Sequence, residues 1–238
     1  MTHQPGPSLS GASAPLNRST APRVLPFLAF MALLALRGWI ADAPQAWGLP
    51  DSRWLYLVQA LLPLALLLAW RSSYSELRLA PKRLSHLMLS LAVGVAVFLL
   101  WIAPLPGWAQ LGKPAAAFEP VTSAGALRWD LIGVRALGAA LVVPIMEELF
   151  WRSFLMRWID RRDFLALPPA EVSSVAIIAS SAVFALAHNL WLAGFLAGLA
   201  YAQLYRRLGN LWCAVLAHAT TNLALAIWVV AQRDWSYW

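Results

Sequence analysis

The sequence predicts an all-α fold, a polytopic bundle of transmembrane helices. Hydrophobic residues make up 61% of the 238 residues and charged residues only 12%, about half of the roughly 25% found in soluble proteins. A soluble domain of this composition would expose large apolar patches. The 14 tryptophans point the same way, because tryptophan concentrates at membrane interfaces. These observations place the chain in a bilayer.

Seven apolar runs account for most of the chain. A transmembrane helix needs about 20 apolar residues, within a range of about 17 to 25. Several runs reach that length, and the short sixth run is included because strong runs flank it. We expect seven spans, and six or eight would also fit the pattern. The runs are residues 24–40, 54–70, 84–103, 131–154, 172–188, 191–205 and 211–230.

Composition divides the chain into four parts. Residues 1–22 are rich in Pro, Ser, Thr and Gly, which cannot form a buried core, and predict a disordered cytoplasmic tail. Residues 23–130 hold the N-terminal transmembrane helices and their loops. Residues 131–232 hold the last four apolar runs as a C-terminal helical core, and residues 233–238 form a short C-terminal tail. This division is a prediction from composition and motif content alone.

The basic residues predict the orientation in the membrane. Most of the 18 Lys and Arg residues lie in loops that are cytoplasmic if the N-terminus is cytoplasmic. We therefore expect a multi-pass protein of the bacterial plasma membrane with its N-terminus inside. Ala41, Asp42 and Ala43 resemble a signal-peptide cleavage site, but the preceding polar region is unusually long, which favours a retained first helix.

The net charge and the cysteine content exclude some classes of function. The net charge of +7 would suggest nucleic-acid binding in a soluble protein, whereas here membrane topology explains the loop cations and no nucleic-acid partner is expected. Cys213 is the single cysteine, so the chain forms no internal disulfide and offers no cysteine-based zinc site.

Ionisable and amide residues inside the spans are the most informative feature. A central charge in a membrane helix costs about 2.5 to 3.5 kcal/mol, so its presence needs a reason. The fourth span contains two adjacent glutamates and two arginines, the fifth ends in a histidine, and the seventh holds a histidine and an asparagine. Each could be an interfacial group or an interhelical hydrogen bond. Their concentration in three of the last four spans favours one buried polar site.

Helical geometry separates the roles of the two glutamates. Glu148 and Arg152 are four residues apart on one helix face and can form an ion pair. Glu147 lies about 100° around the helix and cannot use the same partner equally well. It is therefore a candidate general base for activating water. Pro144 is expected to kink this helix and to free backbone carbonyls nearby.

The two later spans supply groups of complementary chemistry. His218 and Asn222 share one helix face and are hydrogen-bond donors suited to an oxyanion. Phe184 and His188 are also four residues apart, which places the ring beside the imidazole. His188 could help Glu147 to hold and deprotonate a water molecule.

Three motifs in this order resemble those of a known family. Residues 147–152 match an EExxxR motif, residues 184–188 match FxxxH, and residues 218–222 match HxxxN. Their order and spacing resemble the CAAX-protease and bacteriocin-processing family, also called CPBP or Abi, which includes the Rce-type prenyl-protein endopeptidase. The resemblance covers about residues 132–226. Each motif alone is loose, but all three in order are fairly specific.

The resemblance implies a mechanism and a set of roles. Glu147 would activate water with His188 as its partner, while His218 and Asn222 would form the oxyanion hole, in a conical cavity among the last four helices. The family is regarded as glutamate-dependent, so no cofactor is expected. A zinc alternative stays open, since Glu147, His188 and His218 could ligate zinc, although the helical HExxH signature is absent.

Supporting roles follow from the same resemblance. Glu148, Arg152 and Phe184 would support the catalytic groups. Ser153 departs from the glycine usual after the motif arginine, and Trp151 stands where a polar or smaller aromatic residue is common. The predicted helix ends place Glu147 and His188 more than about 10 Å apart in depth. We therefore expect the fourth helix to continue past Arg157 and the fifth to begin several residues after Val172.

The predicted function is that of an intramembrane endopeptidase. Its substrate would be a membrane-anchored, prenylated or otherwise lipidated protein, and its environment the lipid bilayer. A non-catalytic membrane scaffold or bacteriocin-immunity protein is the alternative. A transporter would also use buried ionisable residues, but the paired broken segments typical of one are absent. The sequence specifies neither the substrate nor the oligomeric state.

Overall fold

The structure, a computed structural model, describes residues 19–41, 52–112 and 118–238. Its described residues form a helical bundle, and the only β-type pairing among them is an isolated bridge between Val121 and Leu127. The all-α prediction is confirmed. The long helices are α1 (Ala21–Ala41), α2 (Leu55–Ala69), α3 (Leu84–Trp101), α4 (Trp129–Asp160), α5 (Ser174–Leu186), α6 (Trp191–Leu208) and α7 (Leu211–Gln232).

Each predicted run corresponds to one of these helices. Four of them, α1, α3, α4 and α7, are long and apolar enough to cross a membrane, and α2 and α5 are shorter apolar helices. The protein is therefore an integral membrane protein. Residues 1–18 of the predicted tail and the possible cleavage site after Ala43 lie outside the described residues, whereas α1 already begins at Ala21.

Local sequence signals set the ends of the last three helices. Ser173 caps α5, because its side chain accepts a hydrogen bond from the Ala176 amide. Gly209 ends α6 in the left-handed conformation, with φ of 65°, which glycine adopts without strain. Asn210 follows directly and caps α7 by accepting from the Trp212 amide. A two-residue connection thus fixes α6 and α7 as antiparallel neighbours.

Small residues allow the helices around the polar groups to pack closely. A Cβ atom on Gly94 of α3 would lie 2.4 Å from the Ala217 carbonyl oxygen of α7. A Cβ atom on Gly198 of α6 would lie 2.9 Å from the Cβ atom of Ser181 of α5. Close backbone approach through small residues is a common way for membrane helices to associate. The absence of a side chain at Gly94 thus lets α3 pack closely on α7, and its absence at Gly198 lets α6 pack closely on α5.

Helix α4 is interrupted by two π-helical segments, Gly138–Val142 and Leu149–Leu155. Such segments are frequent at functional sites. In the first, the Val143 amide donates to the Gly138 carbonyl, five residues earlier. The next amide in that register belongs to Pro144, which has no N–H, so the carbonyl of Ala139 is left without a helical donor. The predicted effect of Pro144 on nearby carbonyls is confirmed.

A buried ion pair fastens α1 and α4 to the loop between α2 and α3. The Arg23 side chain is fully buried and lies 2.6 Å from the Glu76 carboxylate. It also donates to the backbone oxygens of Ser19 and Ser73. The hydroxyl of Ser153 donates a short hydrogen bond to Glu76. Ser153, which departs from the family motif, thus connects α4 to this ion pair.

Acid is expected to weaken this attachment. Burial alone would raise the pKa of Glu76, but hydrogen bonds from Arg23 and Ser153 and the Arg23 charge together lower it below its ordinary 4.5. A carboxyl group with a lowered folded pKa stabilises the protein above its unfolded pKa, and this contribution is lost as the pH falls through the folded pKa. The thermal midpoint in detergent should therefore fall more steeply below about pH 4.5 in the wild type than in Glu76→Gln. Parallel curves for the two proteins would contradict this role.

Candidate active site

The predicted catalytic residues line one cavity inside the bundle. The cavity has a volume of about 270 Å³, and side chains from α1 to α7 contribute to its wall. Glu147 comes from α4, His188 from the residues that follow α5, and both His218 and Asn222 from α7. Phe184 and Tyr201 also line it. The structure thus brings together all four residues that the sequence marked as catalytic.

The apparent difference in depth between Glu147 and His188 disappears with the observed helix ends. Helix α4 continues to Asp160, as expected, and the Asp160 carboxylate binds the Ser173 amide at the start of α5. Glu147 is 13 residues before the end of α4, or about 20 Å from it. His188 is 14 residues after the start of α5, or about 21 Å from it. The two groups therefore lie at similar depth.

Glu147 carries a carboxylate oxygen without a protein partner. It is half-buried on the cavity wall, and its Oε2 atom is buried with no hydrogen bond to any described residue. A buried carboxylate oxygen facing a cavity is free to accept a hydrogen bond from water, as a general base must.

Glu148 is the fully buried centre of a charged cluster. Its Oε1 atom accepts a hydrogen bond from Nη1 of Arg152 at 3.1 Å and lies 2.8 Å from Nδ1 of His218. The predicted pairing with Arg152 is confirmed. The pairing with His218 was not predicted, because sequence spacing cannot show a contact between residues 70 positions apart. Arg152 also lies 4.6 Å from the centre of the Phe184 ring.

His188 is oriented by a backbone carbonyl. Its Nδ1 atom lies 2.8 Å from the carbonyl oxygen of Phe184, which can only accept, so Nδ1 carries the hydrogen. The Nε2 atom of a neutral His188 is then an acceptor. The rings of Phe184 and His188 are 4.5 Å apart. The predicted contact between the two rings is confirmed, although α5 ends at Leu186 and His188 lies in the turn that follows.

His218 is held on two sides. Its Nδ1 atom faces the Glu148 carboxylate, and its ring stacks on Tyr201 with centroids 5.1 Å apart. The Tyr201 hydroxyl is 2.6 Å from the hydroxyl oxygen of Thr221, which donates to the Gly94 carbonyl of α3. The Glu148 carboxylate occupies Nδ1, and stacking on Tyr201 fixes the plane of the ring. The Nε2 atom is therefore the nitrogen available to the cavity.

Asn222 fills the hydrogen-bonding gap left by Pro144. Its Nδ2 atom donates to the freed carbonyl oxygen of Ala139 at 2.8 Å. A carbonyl oxygen only accepts, so the bond fixes which end of the amide is the nitrogen. One N–H of the Asn222 amide is used in this way, and the second N–H remains. The helix break in α4 thereby orients a donor on α7.

Aromatic side chains support the site from behind. The Trp151 ring lies edge-on to Phe184 with centroids 5.5 Å apart, and Phe27 of α1 lies 5.1 Å from Trp151. Trp101 of α3 contacts His188 edge-on at 5.3 Å. That Trp151 stays outside the chemistry remains a prediction. Phe184 in turn contacts the His188 ring.

The described residues contain no group of three or more His, Cys, Asp or Glu side chains placed to hold a metal ion. Glu147, His188 and His218, the ligands of the zinc alternative, do not form such a group. In each histidine Nδ1 is engaged, by a backbone carbonyl or by Glu148, and Nε2 stays available. The metal-free mechanism remains a prediction for solution experiments.

Sequence reasoning missed several residues on the cavity wall. Trp101 and Tyr201 carry no charge and sit in apolar runs, so nothing in the pattern set them apart. Arg37 and Arg135 are ionisable residues near the ends of the predicted runs 24–40 and 131–154. Both line the cavity that contains Glu147. A search for every ionisable residue within a span, wherever it lies in the span, would have found them.

A comparison with protein families matches residues 129–224 to the model described as Type II CAAX prenyl endopeptidase Rce1-like. No curated protein and no solved structure matches the chain. The matched residues contain α4 to most of α7 and hence all the residues that the three motifs marked. The resemblance inferred from those motifs is confirmed over this stretch. Residues 129–224 of the chain are thus similar to the Rce1-like family of Type II CAAX prenyl endopeptidases.

Proposed function

We propose that the protein is an intramembrane endopeptidase that hydrolyses a peptide bond of a membrane-anchored or lipid-modified protein. One observation carries the proposal: Glu147, His188, His218 and Asn222 line a single cavity within the stretch that matches a CAAX-type protease family. The prenylated substrates of that family make a prenylated protein the first class to test.

Glu147 is proposed to activate the water. Its unpartnered Oε2 atom accepts a hydrogen from a water molecule, while the Nε2 atom of His188 accepts the other and fixes its orientation. As the water oxygen attacks the carbonyl carbon, Glu147 takes the proton. When the C–N bond breaks, the carboxylic acid returns that proton to the leaving amine, so Glu147 ends the cycle ionised.

His218 is proposed to stabilise the oxyanion. The Glu148 carboxylate accepts a hydrogen bond from Nδ1 of His218, and a His218 ring with a hydrogen on each nitrogen presents Nε2–H to the cavity. A carboxylate orients and supports an imidazole in the same way in serine proteases. The Nε2–H group can then donate to the developing negative charge. Glu148 thus acts through His218 and does not touch the substrate.

Asn222 is proposed to supply the second donor. Its amide is held by the Ala139 carbonyl, and its remaining N–H can point to the same oxyanion. Donors fixed before the reaction begins stabilise the transition state without reorganisation, and the loss of one typically costs about 10²- to 10³-fold in kcat. The helix break at Pro144 is what makes this fixation possible.

The test is cleavage of a panel of membrane-anchored peptides, farnesylated and acylated, by purified protein in detergent. We expect cleavage by the wild type, no cleavage by Glu147→Ala, and no change on adding a chelator, because the proposed water activation uses a carboxylate. A chelator-sensitive rate that zinc restores would contradict the metal-free mechanism. Equal cleavage by wild type and Glu147→Ala would contradict the role of Glu147.

The scaffold alternative predicts a different pattern. A protein that acts only by binding partners would cleave no peptide of the panel, and Glu147→Ala would keep its cellular phenotype. Loss of the phenotype in a variant that remains folded and membrane-inserted would support the enzyme. The phenotype therefore distinguishes the two functions even when the natural substrate is absent from the panel.

A further inference from the structure

A second cavity lies on the outside of the bundle, between α2 and α4. Its volume is about 600 Å³, more than twice the volume of the active-site cavity, and the two cavities share no lining residue. Leu61 and Leu68 of α2 and Leu137 and Leu141 of α4 line it and are each more than half exposed. In an integral membrane protein such leucines meet lipid. The cavity is therefore a groove open to the bilayer, called the α2–α4 groove below.

The α2–α4 groove has the length of a lipid acyl chain. Its lining extends from Leu57 to Leu68 on α2 and from Val134 to Ile145 on α4. These residues are 11 positions apart on each helix, which corresponds to about 16.5 Å at 1.5 Å per residue. One leaflet supplies half of a hydrocarbon core about 30 Å thick. An acyl chain from a single leaflet therefore matches the groove from end to end.

One end of the groove carries a positive charge. Among the described residues that line the groove, only Arg71 is charged, and it lies directly after the end of α2. Its exposed side chain donates to the Leu68 carbonyl oxygen at 3.4 Å and forms no ion pair within the described part of the chain. The guanidinium group is thus available to an anion at the point where a lipid headgroup would meet the groove.

The loop around Arg71 adds further positive charge. Arg78, Lys82 and Arg83 are exposed in it, and its one carboxylate, Glu76, is paired with the buried Arg23. Clusters of basic residues at the end of a membrane helix attract acidic phospholipids. An uncharged apolar molecule would fill the groove but would make no use of these cations. The charge therefore favours an occupant with an acidic headgroup.

We propose that the α2–α4 groove binds an acidic membrane phospholipid, with one acyl chain along the leucines and the phosphate at Arg71. Guanidinium groups bind phosphate oxygens through charge-assisted hydrogen bonds. The apolar lining and the single cation at its end then match the two chemically different parts of such a lipid.

The groove and the active-site cavity lie on opposite sides of one wall, the first π-helical segment of α4. Gly138, Leu141 and Val142 line the groove, whereas Ala139 lines the cavity, where its carbonyl accepts the hydrogen bond from Asn222. A bound acyl chain stabilises the arrangement of the segment against which it packs. Lipid in the groove would thereby support the position of the Asn222 amide. This effect on hydrolysis rests on the proposed function, whereas lipid binding itself does not.

Native mass spectrometry of the delipidated full chain in a neutral detergent tests the binding. The probes are dioleoyl phosphatidylglycerol and dioleoyl phosphatidylcholine, which have the same acyl chains and differ in net charge. We expect phosphatidylglycerol to bind at least about fivefold more tightly, the usual contribution of one cation near an acidic headgroup. Equal affinity for the two lipids would overturn the proposal.

Two pairs of variants locate the lipid. Arg71→Gln should weaken phosphatidylglycerol binding about fivefold and leave phosphatidylcholine unchanged. Its control is Arg207→Gln, which removes an exposed cation at the end of α6 outside the groove and should change neither. Leu141→Trp should weaken both lipids, because the larger ring occupies the groove. Its control is Leu99→Trp, at an exposed position of α3 outside the groove.

Three results would contradict this placement. Equal losses in Arg71→Gln and Arg207→Gln would show that the headgroup senses only the overall charge. Equal binding by Leu141→Trp and Leu99→Trp would show that the acyl chain lies elsewhere. Displacement of phosphatidylglycerol by an equal concentration of a farnesylated peptide would assign the groove to the prenyl chain of a substrate and overturn the phospholipid site.

Rates in vesicles separate this inference from the proposed function. Adding phosphatidylglycerol to phosphatidylcholine vesicles should raise wild-type cleavage at least about fivefold, the lower range of coupling between two sites, and should raise it less in Leu141→Trp than in Leu99→Trp. Lipid binding that depends on Arg71, in a protein that cleaves no peptide, would support the site and contradict the protease. Cleavage at a rate independent of phosphatidylglycerol would support the protease and overturn the coupling through the π-helical segment.

Discussion

Replacing Glu147 with glutamine is expected to lower kcat by about 10²- to 10⁴-fold, the usual contribution of a general base. Glutamine keeps the size and polarity of the side chain but cannot take a proton from water. The buried Oε2 atom has no protein partner among the described residues, so little structural interaction is lost. KM for a cleaved peptide should change little, because the variant removes proton transfer and leaves the cavity wall in place.

Two comparisons make this result specific. Glu171→Gln, at an exposed carboxylate just before α5, should retain the full rate. Thermal unfolding in detergent should give similar midpoints for wild type and Glu147→Gln. A loss of activity that is matched by a loss of folded protein would assign Glu147 a structural role. Unchanged kcat in a folded Glu147→Gln protein would refute the proposed base.

Removing the carboxylate of Glu148 is expected to destabilise the protein more than any other single substitution considered. Glu148→Ala would leave the buried guanidinium of Arg152 without its counter-ion and His218 without its hydrogen-bond partner. Breaking one half of a buried ion pair typically costs about 3 to 5 kcal/mol. The free energy of unfolding, measured by denaturant titration in mixed micelles, should fall by about this amount. Glu171→Ala should change it by no more than about 0.5 kcal/mol.

A double substitution separates stability from activity at this cluster. In Glu148→Leu with Arg152→Met both charges are absent, and the free energy of unfolding should recover part of the loss, because no buried charge remains unpaired. Hydrolysis should remain low, since His218 has still lost the carboxylate that orients it. Recovery of activity together with stability would show that Glu148 only balances the charge of Arg152.

Periodicity and composition were enough to predict the architecture. Each apolar run became one helix, and the start of α3 and α7 agreed with prediction at Leu84 and Leu211. The ion pair between Glu148 and Arg152 followed from their spacing on one helix. The freed carbonyl near Pro144 followed from the missing N–H. In each case a local rule of helix geometry determined the result.

Contacts between distant segments could not be predicted in this way. The bond from His218 to Glu148 and the bond from Asn222 to Ala139 depend on how α4 and α7 cross. The two π-helical segments of α4 rotate the side chains that follow them around the helix axis, and the pattern of apolar residues does not predict this rotation. Arg37 and Arg135 line the same cavity because α1 packs beside α4, about 100 residues later in the chain. Tertiary packing decided all of these features.

The shortness of α5 has a consequence for the surrounding lipid. Its 13 residues extend about 20 Å, whereas the hydrocarbon core of a bilayer is about 30 Å thick. Residues 187–190 are non-helical, and the side chains of Asn189 and Trp191 donate to the backbone oxygens of Leu111 and Trp108 in the loop between α3 and α4. Lipids around α5 must shorten or tilt to match it, which thins the membrane beside His188 and shortens the path of water to the site. The rate of hydrolysis would then depend on the length of the lipid acyl chains, and it would be lower in thicker membranes.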